Sequence, residues 1–391
     1  MIFHRFGIKS RNIILLYSTT LLQGMMFFLP ILALYYQESL FSVKNVALIF
    51  SIEALFSVIF EVPTGAIADL FGRKRTLILA TIINILGIAV LSIGGNMAMF
   101  VVYAVLVSLA RSLNSGTDTA LMYDTLKNEG KENFYKKMSG MYMSIWPIGA
   151  TIGSIVGGYL ATISLHTPIF YTLIPFVISL VLNFFLVEPE YEKKTGTTLN
   201  GHIWESIKDV LKNKQMLIIL SGGVIAWSLG ESVHFLSQIF FQSKQIPILW
   251  YGYLGAASFS FSSLGFYCSH AISERFGNKK TVVLSVIFLS LLLIASTLTP
   301  GYLSIILFAL SSFFFGLRSP ILGHLWNEEA ESRKRATLNS INSLVYQLGV
   351  AIVIPIVGYW SDLFSINTAF LLSGLIMLIV STSFFTMLKH D

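Results

Sequence analysis

GAIADLFGRKRTL, Gly65–Leu77, ends an apolar run with an acid, a glycine and three consecutive bases, then turns apolar again. So much charge in so few positions between two greasy stretches fits a tight loop at a membrane edge. The acid would close one span and the bases would open the next. The pattern returns 205 residues later: ADLFGRKRTL has a counterpart in SERFGNKKTV. Asp69 aligns with Glu274, Gly72 with Gly277, Lys74 with Lys279 and Arg75 with Lys280. Arg111 and Arg318 repeat at an offset of 207. The chain therefore reads as two related halves.

Composition sets the solvent. Of 391 residues, 54% are hydrophobic and 12% charged, against roughly 25% charged in a soluble domain. The chain is expected to lie in a bilayer from end to end. One cysteine, Cys268, excludes an intrachain disulfide and a cysteine-based metal cluster, and neither metal nor cofactor is expected. The sequence pI of 9.2 reflects bases kept on the cytoplasmic side, not a nucleic-acid partner. The first apolar run lacks a small-residue cleavage site and reads as a retained helix.

A membrane-crossing helix needs about 20 mainly apolar residues. Twelve candidates follow: 12–37, 43–70, 76–95, 98–123, 138–163 and 167–187, then 215–242, 249–273, 281–298, 302–326, 336–360 and 368–388. These runs are too long and too uniformly apolar for barrel strands, so the expected fold class is an all-α membrane protein. With the N-terminus inside, 22 of the 26 Lys and Arg fall in inner segments and two, Lys44 and Lys244, in outer loops. That bias predicts both termini in the cytoplasm of a multi-pass cell-membrane protein. The expected organisation is a six-helix half over 1–187, a polar cytoplasmic linker over 188–214 and a second six-helix half over 215–391. Such internal symmetry is that of many secondary transporters.

On these residues the chain resembles the major facilitator superfamily over its whole length. The family pattern in the loop after span 2 is roughly G-x-[LIV]-[AS]-D-x-x-G-R-[KR]-x-[RK]. Gly65, Ile67, Ala68, Asp69, Gly72, Arg73 and Lys74 match it, and Thr76 departs at the last basic position. Span 5 holds GATIGSIVGG, with Gly149, Gly153, Gly157 and Gly158. This is similar to a helix-packing glycine pattern of proton-coupled exporters, with Ser154 in place of the usual proline. RSLNSG is similar to a span 4 element but carries one extra residue before Gly116. FEVPTG and SGTDTALMYD resemble a bacterial group of facilitators, many of them of drug-efflux type. The resemblance implies two pseudo-symmetric six-helix halves, alternating access, and a monomer working on a small-molecule substrate with protons.

The residues themselves offer a chemistry. Asp69, Gly72, Arg73 and Lys74, with Glu274 and Gly277 in the second copy and Gly65 before them, could form a charge latch that breaks and re-forms. Equally, the three bases could simply hold the loop inside. Charges within spans are costly and are functional candidates by default. Arg111 and Asp118 lie seven residues apart, so a continuous helix would place them on one face about 10 Å apart. Asn114 and Ser115 would lie between them. Arg111 could couple binding to rearrangement or tie span 4 to a neighbour, and Asp118 could also be a loop-edge acid. Glu53 falls about 15 Å from the outer end of span 2. Glu61 precedes Pro63, which is expected to loosen the helix. Each acid could carry a proton, meet a cationic substrate, or make a packing hydrogen bond.

Glu231 and His234 share a face of span 7 with Ser228 and Gln238 and could pass a proton, or could make an ordinary interhelical bond. Arg318 has no acid in its own helix and is expected to pair across helices. His324 is a weaker candidate close to a helix end. Trp146, Trp227 and Tyr123 lie near these polar stripes. No phosphate-binding G-x-x-x-x-G-K-[ST] element occurs, and neither H-E-x-x-H nor G-x-S-x-G is present. The expected function is proton-coupled export of a small amphipathic molecule or drug. Uptake or export of a specific metabolite is the alternative, with an enzyme or a channel the other classes.

Overall fold

A computed structural model describes residues 11–190, 210–329 and 335–388. Their regular structure is helical. The first segment is α1 (Arg11–Gly24), a 3-10 turn (Leu29–Ile31) and α2 (Leu32–Leu40). Then come α3 (Val43–Phe71), α4 (Arg73–Ile93), α5 (Met97–Asn114), α6 (Thr117–Asn128), α7 (Tyr135–Met143), α8 (Ile145–Ala161) and α9 (His166–Phe184). The remainder forms α10 (Lys214–Phe235), α11 (Ser237–Ser243), α12 (Leu249–Phe276), α13 (Asn278–Leu298), α14 (Gly301–Glu329), α15 (Arg335–Leu363) and α16 (Ile366–Leu388).

Ten helical segments among the described residues are long and apolar enough to cross a membrane. Two of the twelve expected spans do not reach that measure. In α12, Gly, Ser and Tyr dilute the apolar residues and His270, Glu274 and Arg275 close the helix. In α16 the measure covers only 366–382, where the described side chains end. Helices are the only open structure that satisfies every backbone group without water. Large apolar side chains such as Ile163 (70% exposed) and Leu298 (72%) point outward, as a lipid-facing surface requires.

The chain divides into two compact units. One is Met1–Pro30 with Phe56–Thr195; the other is Ile31–Leu55 with Gly196–Asp391. Residues 31–55 belong by sequence to the first six spans, yet they pack in the second unit, where α2 lies on α11. In the first unit α1 packs on α8 and α9, and α4 on α5 and α9. In the second, α14 packs on α12 and α13, and α10 on α15 and α16. The two buried cores echo one another. Leu77 and Leu121 are core residues of the first; Val282 and Trp326, which align with them at the offset of 205, are core residues of the second.

Four expected spans are not continuous. The first is interrupted between Gly24 and Leu32, the fourth at Ser115–Gly116 and the fifth at Ser144. Gly116 takes φ +74° and opens α6. It sits where the sequence carries one extra residue. At the fifth, Pro147 cannot donate to the carbonyl four residues back, so the helix restarts at Ile145 with the proline in its first turn. The seventh segment also breaks, at Leu236 between α10 and α11. Pro63, by contrast, stays inside α3. Thr64 Oγ1 donates to Phe60 O at 2.7 Å beside it, a hydroxyl placed among the carbonyls that the proline disturbs.

Candidate functional site

The charged loop is built around one glycine. Gly72 takes φ +93°, ψ 154°, a region essentially closed to other residues. That turn lets α4 begin immediately after α3 ends. The first N–H groups of α4 have no partner in their own helix, and Glu188 supplies one. Its carboxylate accepts from Arg73 N at 2.6 Å and Lys74 N at 2.9 Å. Arg73 reaches the other way: its Nε donates to Asp124 Oδ2 at 2.6 Å, with both side chains largely buried. Thr76, the departure from the family pattern, donates its hydroxyl to Gly72 O at 2.7 Å. The side chains of residues 65–70, Gly65 and Asp69 among them, lie outside the described residues. Neither Glu188 nor Asp124 was singled out from sequence, although Asp124 ends the SGTDTALMYD run.

The second copy repeats the backbone. Gly277 has φ +86°, ψ 146°, and Thr281 Oγ1 donates to Gly277 O at 2.8 Å. Its surroundings differ. Nothing lies within 4 Å of a Cβ built at Gly277, whereas one at Gly72 would meet the Glu188 carboxylate at 3.1 Å. Glu274 pairs along its own helix with His270 at 3.4 Å, both well exposed.

The acids of the first unit separate in kind. The break at Ser115–Gly116 puts Arg111 on α5 and Asp118 in the first turn of α6. The expected seven-residue spacing along one helix face therefore does not hold. Asp118 is half-buried in a polar setting of its own. Tyr142 OH donates to Asp118 Oδ2 at 2.7 Å, and Thr20 Oγ1 donates to Tyr142 OH at 2.7 Å. Thr119 N donates to Asp118 Oδ1 at 2.6 Å. Tyr17 stacks edge-on against Tyr142 at 5.6 Å and donates to Met138 O. The chain Thr20–Tyr142–Asp118 joins α1, α7 and α6 beside the breaks in the fourth and fifth segments. Each hydroxyl in it can both donate and accept, so the bond directions can reverse when Asp118 gains a proton. Neither Tyr142 nor Thr20 was read from sequence. Arg111 and Glu61 are exposed. Tyr123 meets Tyr135 edge-on, and Trp146 is 37% exposed.

The glycines of α8 have a packing reason. Cβ atoms built at Gly149, Gly153 and Gly157 would collide with the backbone of Leu21, Met25 and Phe27. The stripe lets α8 press against the first segment as it leaves α1. Gly158 is buried as well.

In the second unit, Glu53 is 8% exposed on α3. Arg318 on α14 is 1% exposed; its Nη2 donates to Ala226 O at 3.2 Å and its guanidinium lies 4.9 Å from the Phe315 ring. It thus reaches across to a backbone carbonyl of α10. Nη1 is buried with no hydrogen-bond partner among the described residues. Trp227 packs on Phe315 at 4.8 Å and on Tyr346 at 5.7 Å. These rings and Arg318 form an aromatic and cationic cluster from α10, α14 and α15. Glu231 is half-buried. His234 is exposed and meets the rings of Phe235 and Phe259. The expected stripe does not continue to Gln238. Beyond the break at Leu236, Gln238 Oε1 instead accepts from Ala33 N at 2.9 Å. His324 pairs with Glu328 along its own helix at 3.1 Å.

The sequence profile described as Major Facilitator Superfamily matches residues 14–327 and 235–391. Among curated relatives, multidrug resistance protein 2 of Bacillus subtilis is 23% identical over 329 residues, 81% of this chain and 79% of that protein. The quinolone resistance protein NorA of Staphylococcus aureus is 20% identical over 356 residues, 87% of each. The uncharacterized transporter YxaM of B. subtilis is 25% identical over 243 residues, and the match spans 60% of its length. Among solved structures, the nucleoside transporter NupG superposes with a TM-score of 0.80 at 15% identity, over 97% of this chain and 99% of that one. A bacterial Spinster homologue in an inward-facing, unoccupied conformation gives 0.79 at 14% identity, over 97% of each. At such identities the structures speak for the fold alone.

Proposed function

The chain belongs to the major facilitator superfamily, and we propose that it exports a small amphipathic molecule in exchange for protons, by alternating access. The observation that carries this reading is Asp118. It is a half-buried acid in the first turn of α6, hydrogen-bonded through Tyr142 to Thr20 beside paired helix breaks. An acid held by reversible hydroxyls is suited to taking and releasing a proton. The names of two relatives, resistance proteins for multiple drugs and for quinolones, support an amphipathic cargo.

In this reading the protein sits as a monomer in the cell membrane with both termini cytoplasmic. Two six-helix halves, 1–187 and 215–391, are joined by the linker 188–214. Gly65, Asp69, Gly72, Arg73 and Lys74, with Glu274 and Gly277, gate the cytoplasmic side. Glu188 and Asp124 hold the first copy. Asp118 leads proton coupling, and Glu53, Glu61, Arg111, Glu231, His234 and Arg318 share coupling and cargo contacts.

The test is flux in proteoliposomes under an imposed pH gradient, screened across chemically diverse amphipathic compounds. Cargo should accumulate without ATP, and a protonophore should abolish the accumulation. Asp118→Asn should flatten the pH dependence. Flux that persists without a gradient and shows no exchange would refute antiport. The second reading, a carrier for one specific metabolite, is favoured by the cluster of Arg318, Trp227, Phe315 and Tyr346. A built polar and aromatic site suits one cargo better than many. A screen that finds a single transported compound, with flux lost in Arg318→Gln, would select it.

A further inference from the structure

Residues 31–55 leave the first half of the sequence to pack in the second unit, and one carboxylate holds the turn in their midst. Asp362, in the last turn of α15, accepts from Ser42 Oγ at 2.6 Å, Val43 N at 2.8 Å and Lys44 N at 3.0 Å. Val43 and Lys44 open α3, where N–H groups have no partner within the helix. Ser42 is the local cap, its Oγ accepting from Asn45 N at 3.2 Å. Asp362 completes that cap from 320 residues away, and its charge meets the positive end of α3.

The contact behind the cap is smooth. A Cβ built at Gly358, one turn before Asp362, would stand 2.9 Å from Lys44 Cα and 2.6 Å from Ala47 Cβ. The two helices therefore meet through backbone and a small side chain at Gly358, and beside it Lys44 Nζ lies 5.7 Å from the Tyr359 ring. Farther along α3, Ser51 Oγ donates to Ala351 O, and Phe50 stacks on Phe235 at 4.7 Å. Asp362 itself is exposed, so water can take over each bond it gives up. A cap shared between sequence-distant helices, wet on its outer side and flat behind, is built to part and re-form.

We propose that Asp362 is a positioning residue of the transport cycle. Its carboxylate is the catch that holds residues 31–55 against the second unit in the state seen here, and it releases Ser42, Val43 and Lys44 in the other. The inference rests on the alternating-access reading above.

Thiol labelling tests it without any cargo. Ser51→Cys in a Cys268→Ser background places one thiol between α3 and α15. A membrane-impermeant maleimide is added to vesicles from each face separately. With Asp362 intact, labelling should be slow from both faces. Asp362→Asn should raise the rate at least tenfold from one face only, and Ser42→Ala should raise it less, in the same direction. Native Cys268, probed with a permeant maleimide in Asp362→Asn, should label within twofold of the wild-type rate. An unchanged rate at the introduced thiol overturns the catch. So does an equal rise at Cys268, because Asp362 would then be general structural cement. If Asp362→Asn does not fold, Ser42→Ala alone decides between the same outcomes. Because labelling needs no substrate, a failed transport assay leaves this result standing, and the two readings fail separately.

Discussion

Gly72 and Gly277 share one backbone and differ in everything around it. Both turn through φ near +90° with ψ near 150°. In both, a threonine four residues on returns its hydroxyl to the glycine carbonyl. Yet Gly72 is buried and Gly277 exposed. The first loop is clasped twice, by Glu188 on the opening N–H groups of α4 and by Asp124 on the Arg73 side chain. In the second copy Asn278 replaces Arg73, and Glu274 pairs only locally with exposed His270 among the contacts described. The repeat dictates how the chain turns. The helices that happen to lie beside the turn decide how firmly it is held.

Three measurements would break or sharpen that contrast, each read as unfolding free energy in detergent. The largest effect belongs to the ion pair. Arg73→Ala or Asp124→Ala strands a largely buried charge and should cost about 2–3 kcal/mol, whereas Asn278→Ala should stay within about 0.5 kcal/mol. Equal losses in the two copies would end the asymmetry.

Next comes the turn itself. Gly72→Ala should cost about 2 kcal/mol, from its backbone conformation together with crowding against Glu188; Gly277→Ala should cost about 1 kcal/mol, from the backbone alone. A reversed order would mean that the Glu188 carboxylate yields freely. The smallest contrast is between the acids. Glu188→Ala removes an acceptor from two helix-opening N–H groups and should cost about 1 kcal/mol. Glu274→Ala, at an exposed pair, should cost less than about 0.5 kcal/mol. An equal loss at both would show that Glu188 caps nothing of consequence.

Much of this was legible beforehand. Apolar runs of span length, the repeat of FGRKRT as FGNKKT, and the requirement for glycine at the turn are all local properties. The glycine stripe of α8 was legible too, because only close helix approach makes use of four glycines in ten residues. The candidate site was legible in its residue types more than in its geometry. Asp118 was visible as an acid inside a span, but a spacing of seven from Arg111 shares one face only along an unbroken helix. Gly116, one residue out of place in RSLNSG, was the signal for the break. Pro147 was the corresponding signal in span 5, and it went unread.

What the sequence alone determined is the solvent, the helices and the two-fold repeat, because hydropathy and period are set by neighbours along the chain. Only the tertiary structure decided who meets whom. Glu188 reaches Arg73 N across 115 positions, Tyr142 finds Asp118 across two broken helices, and Asp362 caps α3 from the far end of the chain. A short polar side chain shows its chemistry in the sequence, but its partner depends on which helix faces pack together, and that packing is a property of the whole fold.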